Sequence, residues 1–171
     1  MTSAIVLPSL TNWVKQHLTA LLKTTTQEDF DAAFNSFISQ NVTITLNGKH
    51  LTRDQYKQQL QGEKFEESGA LVNFLGSVEV SKDAMQASFE GSVGLFFQAT
   101  IAEKLLVLGA PETKTVNSSL NVVVIQDPMI ERPHLPGRGG AFDPRRVTVL
   151  NQVTLDQQNP TTFPGSVSMS A

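Results

Sequence analysis

Residues 26–60 read TQEDFDAAFNSFISQNVTITLNGKHLTRDQYKQQL, and the succession of patterns in this stretch decides the fold class. Thr26, with Glu28 and Asp29 behind it, marks the start of a helix: its hydroxyl can accept from the free N–H groups of the first turn, and acids suit the positive end of the helix dipole. Phe30, Ala33, Phe34, Phe37 and Ile38 then recur at helical spacing and form one apolar face. From Val42 the period becomes two. Val42, Ile44 and Leu46 alternate with Thr43 and Thr45, which predicts a half-buried strand over 42–46. Asn47-Gly48 tolerates the positive φ angles of a type I′ turn, so the register predicts Ile44 opposite Leu51 and Thr45 opposite His50. Thr52 and Gln55 have the spacing of a capping box, and Leu51 and Tyr56 flank it as a hydrophobic staple. A further helix is expected to run from there to about Gly62.

Working toward the N-terminus, a helix from Pro8-Ser9 to about Leu22 is predicted by the stripe Leu10, Trp13, Val14, Leu18 and Leu21, with Lys23 at its negative pole. Toward the C-terminus the signals turn to β. Ala70, Val72, Phe74, Val78 and Val80 alternate with Asn73, Ser77 and Glu79 over 70–80, and 81–84 reads as a turn. A second long strand is expected to carry Met85, Ala87, Phe89, Val93, Leu95 and Phe97, with a bulge or bend at Gly91 and Gly94. A short apolar run over 105–108 precedes the Gly109-Ala110-Pro111 break, and 115–126 and 146–155 supply two more strands. The segment 127–145, with four prolines and Gly137-Arg138-Gly139-Gly140, reads as a long surface loop. Residues 1–156 are expected to form a single domain, and 157–171 a disordered tail.

A chain of 171 residues with a net charge of −3 and no cysteine narrows the chemistry. The length suffices for one buried core. The negative balance argues against a nucleic-acid partner, since phosphate binding needs a cationic surface. Disulfides, thiolate catalysis and Cys-ligated zinc are excluded. No apolar run is long enough to cross a membrane, and no basic n-region with an apolar h-region opens the chain, so a cytoplasmic protein without a membrane partner is expected. His17, His50 and His134 lack the i, i+4 spacing of metal ligands, and no metal or cofactor is expected.

Two N-terminal helices, a short hairpin, a third helix and then long strands form an order that resembles the nuclear transport factor 2-like superfamily, including its SnoaL-like polyketide cyclases, ketosteroid isomerases and scytalone dehydratases. Phe30-Asp31-Ala32-Ala33-Phe34, the run Asn47 to Tyr56 and the strands from 70 to 155 carry the resemblance, which covers residues 8–156. It implies an α+β fold in which the helices pack within a strongly curved, mostly antiparallel sheet, a cone-like barrel. It also implies a pocket, often apolar, and a homodimer. The isomerases of this fold need a carboxylate just after the first strand, where this chain has Asn47-Gly48. Scytalone dehydratase chemistry would need paired histidines and tyrosines, and Tyr56 is the chain's one tyrosine.

The candidate site residues follow from these patterns. His17 lies at i+7 from Leu10, beside the first helix's apolar stripe; a histidine on a pocket wall is a base near neutral pH, and one at a core edge is a structural donor. Glu90, if buried in the curved sheet, would have a raised pKa and serve as a base; on the solvent face it would do neither. Trp13, Phe34, Tyr56 and Phe74 are candidate ligand-binding walls, or ordinary core, and Asn73 is a candidate polar anchor. Arg132, Arg138 and Arg145, with Arg146 directly after them, place four of the five arginines in or next to 127–145, as a lid or a solvated insertion. Two functions remain open: a cofactor-free isomerase, cyclase or dehydratase that binds a small apolar or polyketide-like ligand, or a non-catalytic homodimeric interaction protein whose cone is filled.

Overall fold

The computed structural model describes residues 7–64, 67–107, 109–131 and 142–160, and within them three helices lie against one six-stranded sheet. Helix α1 (Leu10–Lys23) starts where the Ser9 hydroxyl accepts from the Asn12 N–H at 3.3 Å, and its five stripe residues are all buried. Helix α2 (Gln27–Phe37) is capped by Thr26, whose Oγ accepts from the Asp29 N–H at 3.2 Å and donates to the Asp29 carboxylate at 2.7 Å. Ile38, expected on the helix, instead opens strand β1 (Ile38–Leu46): its N–H still bonds to the Phe34 carbonyl while its backbone is already extended. Helix and strand thus join without a loop, and β1 is longer than its alternation indicates.

The Asn47-Gly48 turn has φ angles of 48° and 79°, as a type I′ hairpin needs, and strand β2 (Lys49–Leu51) pairs Ile44 with Leu51 and Thr45 with His50 as expected. Gln55 Oε1 accepts from the Thr52 N–H at 2.9 Å, and Thr52 Oγ accepts from the Gln55 N–H at 3.1 Å. This reciprocal capping box starts helix α3 (Arg53–Lys64).

Four long strands complete the sheet: β3 (Glu67–Ser81), β4 (Gly91–Val107), β5 (Ala110–Gln126) and β6 (Arg145–Gln158). The order across the sheet is β2-β1-β6-β5-β4-β3, antiparallel except where β1 runs parallel to β6. The sheet is α+β in class, curved and open, with the helices on its inner face. That face supplies Val93, Leu95, Phe97, Ala99 and Ile101 from β4, and Leu120, Val122 and Val124 from β5.

Three expectations for the strands need correction. The expected bulge at Gly91 or Gly94 falls in β3: Phe74 pairs with Phe97 and Gly76 with Phe96, so Leu75 is the extra residue. Beyond it the faces exchange. Val78 and Val80 point outward, 64% and 65% exposed, while Glu79 turns in and accepts from the Thr11 N–H at 2.7 Å. Second, Met85, Ala87 and Phe89 are not in a strand. Asp83 caps a 3₁₀ turn over Ala84–Gln86, and β4 begins only at Gly91, whose backbone lies against Val80 O so closely that a Cβ would collide. Third, β6 runs to Gln158, and Asn159 bonds to Thr113 and Thr115, so 157–159 continues along the sheet. Residues 161–171 lie outside the described residues, as do 132–141, with Arg132, His134 and Arg138.

Candidate functional site

Between α1, α2 and α3 and the inner face of the sheet lies a cavity of about 260 Å³. Its depth is apolar: Leu18 and Leu21 from α1, Phe30 and Phe37 from α2, Phe97 and Ala99 from β4 and Leu120 from β5. Their residue types follow from the period-3.6 and period-2 stripes that fold the chain, so the wall is the part of the core that the sheet's curvature holds away from the helices. Exposed Asn47, Gln59, Leu155 and Asp156 form the rim. No Lys, Arg or His lies on the wall among the described residues.

One polar chain interrupts the apolar wall. The Tyr56 hydroxyl, projecting from α3, donates to Gln152 Oε1 on β6 at 2.7 Å. Gln152 Nε2 donates in turn to Ser118 Oγ on β5 at 2.9 Å, and Ser118 donates to the Val153 carbonyl at 3.4 Å. All three side chains are buried, and Tyr56 and Gln152 face the cavity. Burial pushes the Tyr56 hydroxyl upward from its ordinary pKa, so it stands in the cavity as a neutral phenol.

The other residues singled out from sequence lie elsewhere. His17 does not line the cavity; it sits between α1 and α2, its ring stacked on Phe37 at 5.7 Å and tilted against Trp13 at 4.4 Å, with Ser36 Oγ 3.4 Å from Nδ1. Glu90 is in the loop before β4, not buried in a strand. It pairs with Lys82 and accepts from the Gln126 N–H, and the Lys82 hydrogen bond holds its pKa below the ordinary carboxylate value, opposite to the expected rise. Asn73 is exposed, because its neighbours Val72 and Phe74 take the inward parity. Trp13 and Phe34 are closed core, and Phe74 packs on Phe97 beneath Lys15. Of the seven, Tyr56 alone reaches the cavity. Gln152 and Ser118 were missed because a lone Gln and a lone Ser on strands carry no motif; only the register of β5 with β6, which sets Leu120 opposite Gln152, brings them together.

The 127–145 arginines are neither a lid nor solvated at its described end. Arg145 is fully buried: its guanidinium forks onto the Asp143 carboxylate at 2.9 and 2.7 Å, donates to the carbonyls of Pro8 and Ser88 at 3.0 and 2.8 Å, and lies over the Trp13 ring. Arg146 bonds to the Asn35 carbonyl at 3.0 Å. These groups stand near His17, whose pKa is lowered to about 4, chiefly by burial, against the Asp143 charge and with the two arginine charges. The unfolded chain protonates His17 near 6.5 and the folded chain only near 4. Stability linked to His17 is therefore complete above about pH 6.5 and is lost as the pH falls toward 4. Urea midpoints across this window should fall less steeply for His17→Phe than for the parent chain; parallel slopes would contradict a neutral, half-buried His17.

The sequence matches no protein-family model and no curated protein. Solved structures do match. A candidate aromatic ring hydroxylase from Novosphingobium aromaticivorans aligns with a TM-score of 0.58 at 12% identity, covering 88% of this chain and 91% of its own. A candidate scytalone dehydratase from the same organism aligns at 0.57 and 11% identity, covering 93% of each chain. A hexachlorocyclohexane dehydrochlorinase (LinA) of type 2 aligns at 0.55 and 5% identity, covering 90% of each. The chain therefore has the nuclear transport factor 2-like fold, the α+β cone that the order of its elements resembles. At these identities the likeness concerns the fold and not the activity.

Proposed function

We propose that this chain binds a small, largely apolar molecule in the cavity beneath its sheet, as SnoaL-like proteins of this fold do. The observation that carries the reading is the cavity itself. A cone filled by Phe and Leu side chains would leave no such space, and an apolar cavity of ~150 Å³ already takes up benzene. At about 260 Å³ the space suits a molecule of one or two rings, with Tyr56 and Gln152 as polar contacts. Two of the fold's solved relatives are named for ring compounds, an aromatic ring and hexachlorocyclohexane. The reading is of binding and not of proton transfer by His17 or Glu90, since neither faces this space. Calorimetric titration with indane tests it. Binding in the micromolar to millimolar range is expected, with at least a tenfold loss in Ala99→Leu, whose added methyl groups enter the cavity; no heat of binding at saturating indane would refute the reading.

A second observation favours a homodimer through the outer face of the sheet. Leu71, Val78 and Val80 on β3 and Phe96 on the neighbouring β4 are exposed there, apolar side chains of the kind monomers rarely gather in water. Sedimentation equilibrium should give twice the chain mass for the parent protein and the single mass for Val78→Lys. A parent protein that sediments as a monomer at high concentration would remove this reading.

A further inference from the structure

We propose that the Tyr56–Gln152–Ser118 chain is a hydrogen-bond relay of reversible polarity, and that the cavity's ligand is a neutral ring compound bearing a single oxygen, a ketone or a phenol, that meets this chain. This rests on the reading of the cavity as a ligand site. In the arrangement described, Tyr56 donates to Gln152 and its oxygen keeps a free lone pair toward the cavity, which accepts from a phenol. Turning the Gln152 amide by half a revolution exchanges its Oε1 and Nε2, leaves the other heavy atoms in place and reverses every donor. Ser118 then donates to Gln152 Oε1, Gln152 Nε2 donates to Tyr56 Oη, and the Tyr56 proton is free to point at a ketone oxygen. No covalent bond changes and each residue keeps its own protons. The only bond surrendered is the long one, Ser118 to the Val153 carbonyl at 3.4 Å. One wall can thus present an acceptor or a donor at nearly equal cost.

The same wall refuses a charge. Among the described residues it holds no cation, and the ionisable group at its rim is the acid Asp156. A carboxylate or phosphate carried into the cavity would lose its water with no counter-charge to replace it. Neutral oxygen groups are the polar functions for which this wall is equipped.

Four probes of one shape test the proposal by calorimetry: indane, 1-indanone, 5-indanol and indane-5-carboxylate. The ketone and the phenol should each bind about five- to tenfold tighter than indane, the worth of one buried hydrogen bond, and the carboxylate more weakly than indane. In Tyr56→Phe both advantages should vanish. At pH 9, Gln152→Glu holds the Tyr56 proton on a fixed acceptor, so the ketone should lose about fivefold while the phenol is unchanged. Gln152→Leu frees that proton and leaves the oxygen's lone pairs, so the ketone should bind at least as tightly as in the parent chain and the phenol no more weakly. Equal losses for both ligands in the two Gln152 variants would mark a merely structural glutamine and overturn the relay. If Gln152→Glu does not fold, Gln152→Leu and Tyr56→Phe still decide it. If indane binds but neither oxygenated probe binds tighter, the relay fails and the cavity reading stands; if indane itself does not bind, both fall.

Discussion

Replacing Arg145 by leucine is expected to destabilise the fold by about 3–5 kcal/mol. The guanidinium is fully buried, and its bonds to the Asp143 carboxylate and to the carbonyls of Pro8 and Ser88 are lost at once, with its contact on the Trp13 ring. Pro8 lies just before α1 and Ser88 just before β4, so Arg145 ties the entrances of two distant elements to the start of β6. Leucine returns some apolar burial but leaves two carbonyls without a donor. Asp143 is itself affected: burial pushes its pKa up, the hydrogen bonds from Arg145 outweigh that, and the carboxyl lies below its ordinary value. Its removal in Asp143→Ala should also be costly, because a buried cation would then be left without its counter-ion. Urea unfolding followed by Trp13 fluorescence measures both. A loss of under 1 kcal/mol for Arg145→Leu would mean that the guanidinium reaches water and that the buried clamp is wrong.

Phe37→Ala should cost about as much, roughly 3–5 kcal/mol, as expected for a large aromatic deleted from a packed core. Phe37 is almost fully buried, packs on Trp13 at 5.6 Å and on His17 at 5.7 Å, and also forms part of the cavity wall. The substitution therefore has three linked signatures. Stability falls, the cavity grows toward α1 and admits rings bulkier than indane, and His17 loses the ring that shields it, so its pKa rises from about 4 toward 6.5. NMR titration of the His17 ring protons reads the last directly. Retained stability with an unchanged His17 titration would show that α2 is not held by this contact.

Much of the helical and turn structure was legible in the sequence because its causes are local. Thr26 and Thr52 cap the helices they precede, the buried stripe of α1 is the one its spacing predicts, and Asn47-Gly48 sets the hairpin register. The site was legible only at Tyr56. That residue stood out as the sole tyrosine on a recognisable helix, whereas its partners Gln152 and Ser118 lie 96 and 62 positions further along the chain. Glu90 and Asn73 were misplaced because parity along a strand does not report where the strand begins or which side the helices cover.

By itself, then, the sequence determined what short-range chemistry can determine: where helices start, how the hairpin turns, and that helices and strands follow in the order of an α+β cone. The tertiary structure decided the rest. One extra residue at Leu75 exchanges the faces of β3, turning Val78 and Val80 to the outside and Glu79 to the N-terminus of α1. The pairing of β5 with β6 assembles a polar chain inside an apolar cavity. The physical reason is the same in both cases. Capping and turn bonds join residues within a few positions of each other, whereas a strand's facing and a cavity's lining depend on register with strands tens of residues away, which no local pattern encodes.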